Sequence, residues 1–279
     1  MSTPTDISMA DVVDVSAYPL GDHADPRYRA VVKSCQTRLR DYGIVELPGF
    51  IANDARNYIC AEAERLARFG NHTSGTSSVY SLVSEAGALS DSRFPADHPR
   101  NFPCRTAVNA VAYDLIPEDS LLRRLYESDE MAQFIAHAFA LPSVHRLTDP
   151  LYPLNVVEYG KGDRNDWHFD GGRFAPFTVL LDIRSAESGG DFEYVPNVRS
   201  KDDENYDAVS RVLHGDRDLV HGCPRAAGSL LLLVGTRTLH RVTPVGEGRS
   251  RLIAVLSYSP HPGMRVSDHF LRARFGRTS

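Results

Sequence analysis

The chain has 279 residues, 42% hydrophobic and 24% charged, which suits one large domain or a core with a helical extension. Its net charge of -5 comes from acids and bases mixed along the chain with no basic block, so nucleic acid is not an expected partner. No apolar run approaches the ~20 residues that span a membrane, and residues 1–14 lack the basic-then-apolar layout of a signal peptide, so no membrane partner is expected and the cytoplasm is the expected location.

Residues 1–26 read as a loose N-terminal arm. Tyr28, Val31, Val32, Cys35, Leu39 and Tyr42 recur at helical spacing, with Gly43 as the stop. Residues 44–47 read as a short strand closed by Pro48 and Gly49. Asn53 is the expected cap of a second helix carrying Ile59, Ala63 and Leu66 and stopping at Gly70. Residues 71–107 are rich in Ser, Thr, Gly, Pro and His without periodicity, which predicts a long ordered loop or lid. Helical spacing returns at Leu121, Leu122 and Leu125. After a Ser128 cap it runs through Met131, Phe134, Ile135 and Ala138 and ends at Pro142.

Beyond Pro142 the pattern is one of strands, at 154–159, 177–183, 192–195, 229–234, 239–242 and 252–258, with one helical insert at 203–213. Helices first and many short strands after predict a mainly β fold with flanking helices, a sandwich or jelly roll. The domain reading is an arm at 1–26, a helical support region at 27–142 with its lid at 71–107, and a β core at 143–279 integrated with that support. The four cysteines form no C-x-x-C pair and read as small buried hydrophobes.

Three His-x-Asp triplets occur, His23/Asp25, His168/Asp170 and His214/Asp216, against about 1.4 expected by chance for His followed two places on by any acid. Such a pair supplies two metal ligands cheaply, because residues i and i+2 of a strand point to one side. The first triplet lies in the polar arm and the third where a helix ends at Gly215. Only His168/Asp170 sits among predicted strands, flanked by Trp167 and Phe169. His240, 70 residues after Asp170, follows the apolar run at 230–234 and supplies a second imidazole. Two neutral imidazoles and one carboxylate make the facial set that holds iron(II) with three positions left open.

Eleven residues after His240 comes Arg251, opening an apolar strand, where a guanidinium can take the distal carboxylate of 2-oxoglutarate bidentately. Arg249 shares its parity and stays a competitor. The hydroxyls of Tyr159 and Thr178 are candidate partners of the same cosubstrate, or ordinary strand residues.

The chain resembles the iron(II)/2-oxoglutarate-dependent oxygenases, in particular the branch of hydroxylases and halogenases of free amino acids. The resemblance covers most of residues 120–278. It rests on Thr148-Asp149-Pro150-Leu151, Trp167-His168-Phe169-Asp170, the run from Gly189 and Gly190 to Pro196 and Asn197, the run from His240 to Val245, and Phe275-Gly276-Arg277. It implies a double-stranded β-helix, a cupin-like jelly roll, with Fe(II), 2-oxoglutarate and O2 as cofactor and cosubstrates. Halogenases of this branch carry Gly or Ala at the carboxylate position, whereas this chain has Asp170. The resemblance therefore implies hydroxylation of an unactivated C–H bond of a free amino acid or similar small metabolite, with release of succinate and CO2.

Arg105 in the lid, Arg173 just after Asp170, and Trp167 are the candidate substrate contacts; the arginines read equally as solvated surface groups, and Trp167 equally as a core aromatic. Desaturation, ring closure or a carrier-bound substrate would use the same cofactors. A jelly-roll binding or lyase module is the reading from another class, and it would leave Arg251 without a cosubstrate. Sequence sets no oligomeric state.

Overall fold

The computed structural model describes residues 8–80, 92–171, 175–224 and 226–279. The first part of the chain folds where its helical spacing predicts. Helix α1 (Pro26–Tyr42) starts with the Asp25 side chain accepting from the Arg27 amide and ends at Gly43, whose φ of 72° suits a residue without a side chain. Strand β1 (Ile44–Leu47) follows, then helix α2 (Asn53–Ala67), for which Ala52 rather than Asn53 occupies the cap position. Helices α3 (Leu121–Glu127) and α4 (Asp129–Ala138) meet at Ser128, which caps α4 by accepting from the Met131 amide. The expectation of a loose arm over 1–26 is corrected for residues 12–20. Val12, Val13 and Leu20 are buried in the core beside the helices, and Val13 bridges Ile51. No helix among the described residues is long and apolar enough to cross a membrane.

Residues 71–78 and 103–107 depart from the expected loop, while residues 81–91 of the expected lid lie outside the described residues. Strands β2 (Asn71–Ser78) and β3 (Pro103–Val111) pair along their whole length, from Asn71 opposite Ala110 to Ser78 opposite Pro103. β2 is an outer strand paired only with β3 and mostly solvated, so its Ser- and Thr-rich sequence carries no apolar alternation to read.

The remaining strands are β4 (His145–Arg146), β5 (Leu154–Tyr159), β6 (Arg164–His168), β7 (Thr178–Arg184), β8 (Phe192–Val195), β9 (His221–Cys223), β10 (Leu230–Leu233), β11 (Leu239–Val242), β12 (Arg251–Leu256) and β13 (Tyr258–Ser259). Helix α5 (Tyr206–Leu213) lies between β8 and β9, and α6 (Asp268–Phe275) closes the chain. The main sheet runs β1-β10-β7-β12-β5-β3-β6-β11-β8-β9 with antiparallel pairing throughout. β3 pairs with β5 through Asn109, Ala110 and Val111, and with β6 through Thr106 and Ala107. The sheet thus turns over at β3 into two layers, the jelly roll expected.

Each layer has a distinct filling. On β7, β10 and β12, Val179, Leu181, Ile183, Leu230, Leu232, Leu252, Ala254 and Leu256 face the helices and share one core with α1, α2, α3 and α4. The alternate residues Leu180, Leu231, Leu233 and Ile253 pack inside the roll with Phe192, Tyr194 and Val242 of the opposite layer. Burial on both faces explains why β10 reads as four successive leucines. A third cluster of Trp167, Phe169, Val195, Val209, Val212 and Leu239 backs the smaller layer beneath α5.

Candidate metal centre

β6 and β11 bring the two predicted histidines face to face. His240 stands opposite His168 in the ladder, and Val242 opposite Asn165, so β6 carries one extra residue between the two pairs. That bulge lets both Asn165 and His168 turn inward while Trp167 turns out. The imidazole of His168 donates from Nδ1 to the Asp166 carbonyl at 2.8 Å, and that of His240 to the Thr238 carbonyl at 2.9 Å. Both bonds fix the tautomer whose Nε2 keeps its lone pair, as metal-binding histidines require.

Asp170 lies just past the end of β6. Its backbone amide donates to Gly235 O at 3.0 Å, and its Oδ2 accepts from Thr178 Oγ1 at 2.6 Å. Its Oδ1 is 3.8 Å from His168 Nε2 and 3.6 Å from His240 Nε2. The ligand atoms of all three residues fall within 4.8 Å of one another, so one ion can touch all three. Burial, and next the nearby His240, push the His168 imidazole down to about 4, leaving it neutral at ordinary pH. Burial alone would raise Asp170, but the two imidazoles and the Thr178 hydroxyl outweigh it and hold its carboxyl below the usual range. Two imidazole nitrogens and one carboxylate oxygen fit a six-coordinate iron(II) ion and leave three positions for other ligands. The other two triplets do different work: Asp25 caps α1, and Asp216 pairs with Arg211 at the surface.

Arg251 and Arg249 occupy different surroundings. Arg251 shares its face of β12 with Ile253 and is 3% exposed. It donates to Gly190 O at 2.7 Å and pairs with the buried Asp182 at 3.4 Å. Arg249 precedes the strand and is exposed. Tyr159 sits opposite Arg251 in the β5–β12 ladder, with the guanidinium carbon 5.8 Å from its ring centre. Thr178, read as a possible partner of the cosubstrate, directs its proton to Asp170 instead.

The substrate candidates separate. Trp167 is corrected: it faces away from the two histidines, into the cluster under α5, with the Arg241 guanidinium 4.7 Å from its ring centre. β-Strand alternation dictates this, because the residue before an inward histidine points outward. Arg105 is exposed on β3 and donates to Asp166 Oδ2 at 3.0 Å. With Asp166, Trp167, Arg217 and Arg241 it lines a cleft of about 230 Å³ on the outer side of the smaller layer. Arg173 lies outside the described residues. Asp163 is engaged by His72 at 2.9 Å. His137 accepts or donates at Nδ1 with the Tyr28 hydroxyl, a structural role inside the helical layer. All four cysteines are free thiols; Cys35 and Cys104 are buried, as expected, whereas Cys60 and Cys223 are only partly so.

Sequence reasoning missed Asn165 and Asp182. Asn165 Nδ2 donates to His168 Nε2 at 3.2 Å while its Oδ1 accepts from Thr106 Oγ1 at 2.8 Å. Asp182 is one polar residue in an apolar strand, and that break in the run 179–183 was the available signal.

The model of a family described as HalD, Halogenase D, matches residues 28–267. No curated protein gives a match. Among solved structures, a 2OG-Fe(II) oxygenase family oxidoreductase from Burkholderia pseudomallei is 16% identical with a TM-score of 0.51, over 83% of this chain and 92% of that one. A prolyl-4-hydroxylase from Pseudomonas putida is 13% identical with a TM-score of 0.51, over 81% and 97%. The epimerase SnoN, solved with Fe3+, alpha ketoglutarate and nogalamycin RO, is 17% identical with a TM-score of 0.56, over 83% and 84%. At these identities the likeness is one of fold.

Proposed function

The chain belongs to the Halogenase D family, among the iron(II)/2-oxoglutarate-dependent oxygenases, and we propose that it hydroxylates an unactivated C–H bond of a free amino acid or similar small metabolite. The overall reaction consumes 2-oxoglutarate and O2 and yields the hydroxylated product, succinate and CO2. The observation that carries this reading is the carboxylate of Asp170 converging with the Nε2 atoms of His168 and His240. A carboxylate there takes the position that a halide would need, which favours hydroxylation over chlorination.

When bound, iron(II) with 2-oxoglutarate and O2 supplies the oxidising power that cleaves the C–H bond. The chain supplies position and dryness. The Asp166 and Thr238 carbonyls hold both imidazoles in the ligand tautomer. Arg251, deep in the roll, is the anchor for the distal carboxylate of 2-oxoglutarate. Phe192, stacked 5.7 Å from His240, and Leu180, Leu231 and Ile253 make the wall that excludes water. Arg173 remains the candidate partner of a substrate carboxylate, whereas Arg105 shares the outer cleft with Trp167 and is paired with Asp166.

The test is an anaerobic titration of the purified chain with Fe(II) and 2-oxoglutarate, followed by a screen of amino acids for stimulated succinate release. A weak visible charge-transfer absorption is expected, abolished in His240→Ala. No absorption and no succinate with any amino acid or related metabolite would sink the proposal.

A further inference from the structure

We infer that Thr178 and Gly235 are the positioning residues that make Asp170 a one-oxygen ligand, and so set how tightly the centre holds a divalent metal. The inference rests on reading His168, Asp170 and His240 as that centre.

The two oxygens of Asp170 are not equivalent. Oδ2 is capped by the Thr178 hydroxyl at 2.6 Å, whereas Oδ1 is the atom nearest both imidazole nitrogens, at 3.8 and 3.6 Å. Thr178 opens β7 on its inward face, in step with Leu180 and Asp182, so the hydroxyl is presented by the strand itself. The β-branched side chain has few rotamers to lose, so the hydrogen bond costs little order.

Gly235 closes the other side. A Cβ there would stand 1.7 Å from Asp170 Oδ2, 2.5 Å from its Cγ and 3.0 Å from its Cβ. Gly235 is not among the residues with positive φ, so backbone freedom does not demand a glycine. The demand is for space, and the group that fills it is the carboxylate of Asp170. The Gly235 carbonyl also accepts from the Asp170 amide, which ties the ligand's backbone to the same residue.

The consequence is one of counting positions on a six-coordinate ion. A carboxylate binding through both oxygens would, with two histidines, leave two positions. A chelating cosubstrate and O2 need three. Capping Oδ2 keeps the third position open.

Co(II) is the probe, titrated calorimetrically into the metal-free full-length chain without cosubstrate, with its visible spectrum reporting coordination number. Thr178→Val is expected to weaken Co(II) binding about 10- to 100-fold, the cost of losing a group that orients a ligand, and to shift the spectrum. Thr178→Ser is expected to restore both towards wild type. Gly235→Ala is expected to weaken binding at least as far as Thr178→Val, because the carboxylate must swing away from the new methyl group. The melting temperatures of metal-free Thr178→Val and Thr178→Ser should agree, which separates positioning from loss of fold. If Thr178→Val binds Co(II) like wild type, or Thr178→Ser is as weak as valine, this inference is overturned and the centre stands. If wild type binds no Co(II), or Asp170→Ala binds as tightly as wild type, the centre itself is misread. Should Gly235→Ala fail to fold, the Thr178 pair still decides.

Discussion

β7 and β12 each carry two chemistries, one per face. Towards the helices they present only Val179, Leu181, Ile183, Leu252, Ala254 and Leu256, all buried. Towards the interior the same strands present Thr178, Asp182 and Arg251 among Leu180 and Ile253. β10, between β1 and β7, is apolar on both faces and shows what the roll needs for folding alone. A buried charge is costly unless paired. The interior polar groups are paired, Thr178 with Asp170 and Asp182 with Arg251. One face therefore answers to packing and the other to chemistry, and mutations should divide along that line.

The largest effect belongs to the interior. His240→Ala removes a ligand outright, and succinate release should fall by more than about 100-fold, beyond the range found for groups that merely orient ligands. A mass-spectrometric succinate assay checks this, and the folded fraction should be preserved. Arg251→Gln comes next. Losing a charge-assisted, bidentate contact should raise KM for 2-oxoglutarate by about 100-fold, while kcat falls less. An unchanged KM would return the anchor to Arg249 or to a group outside the roll.

On the helix-covered face, Leu181→Ala should lower unfolding free energy by about 2–5 kcal/mol in urea and leave KM for 2-oxoglutarate unchanged. If KM moves as well, the two faces are not independent. A pH dependence sharpens the contrast. The His168 pKa is about 4 in the fold, against ~6.5 unfolded. Between those values the unfolded chain binds the extra proton, so stability of the metal-free protein falls as pH drops from about 6.5 towards 4. The contribution lost is at most about 3 kcal/mol, readable as a falling melting temperature that His168→Ala flattens. Arg249→Ala should be the mildest, within about 0.5 kcal/mol in stability and without effect on KM.

Much of the molecule was legible because burial leaves periodic traces. The helix from Pro26 to Tyr42 and the leucines of β10 follow from spacing and from two-sided burial. The candidate metal ligands were legible from order along the chain: a histidine, an acid two places on, a distant histidine, then an arginine at a strand start. β2 and β6 were hidden, since an outer strand and the polar run Arg164–His168 carry no apolar alternation. Helix α6 was missed because Leu271 and Phe275 are its only buried residues. Trp167 stayed open between substrate contact and core aromatic because closeness in sequence does not fix closeness in the site. Thr178 was recognised as a candidate hydroxyl, but its partner is Asp170, eight residues away in the chain. Pairings of that kind depend on where two backbones cross, which composition does not record.

The strand β3 leaves one neighbour for another within a few residues, bonded to β5 at its far end and to β6 at Thr106 and Ala107. Thr106 grips Asn165, and Asn165 reaches the His168 ring. The outer hairpin is in this way tied to the imidazole through two hydrogen bonds. Because Asn165 reaches the same Nε2 that a metal would take, filling the centre would exchange that hydrogen bond for a metal–nitrogen bond, so occupancy of the centre and the anchoring of the hairpin are linked.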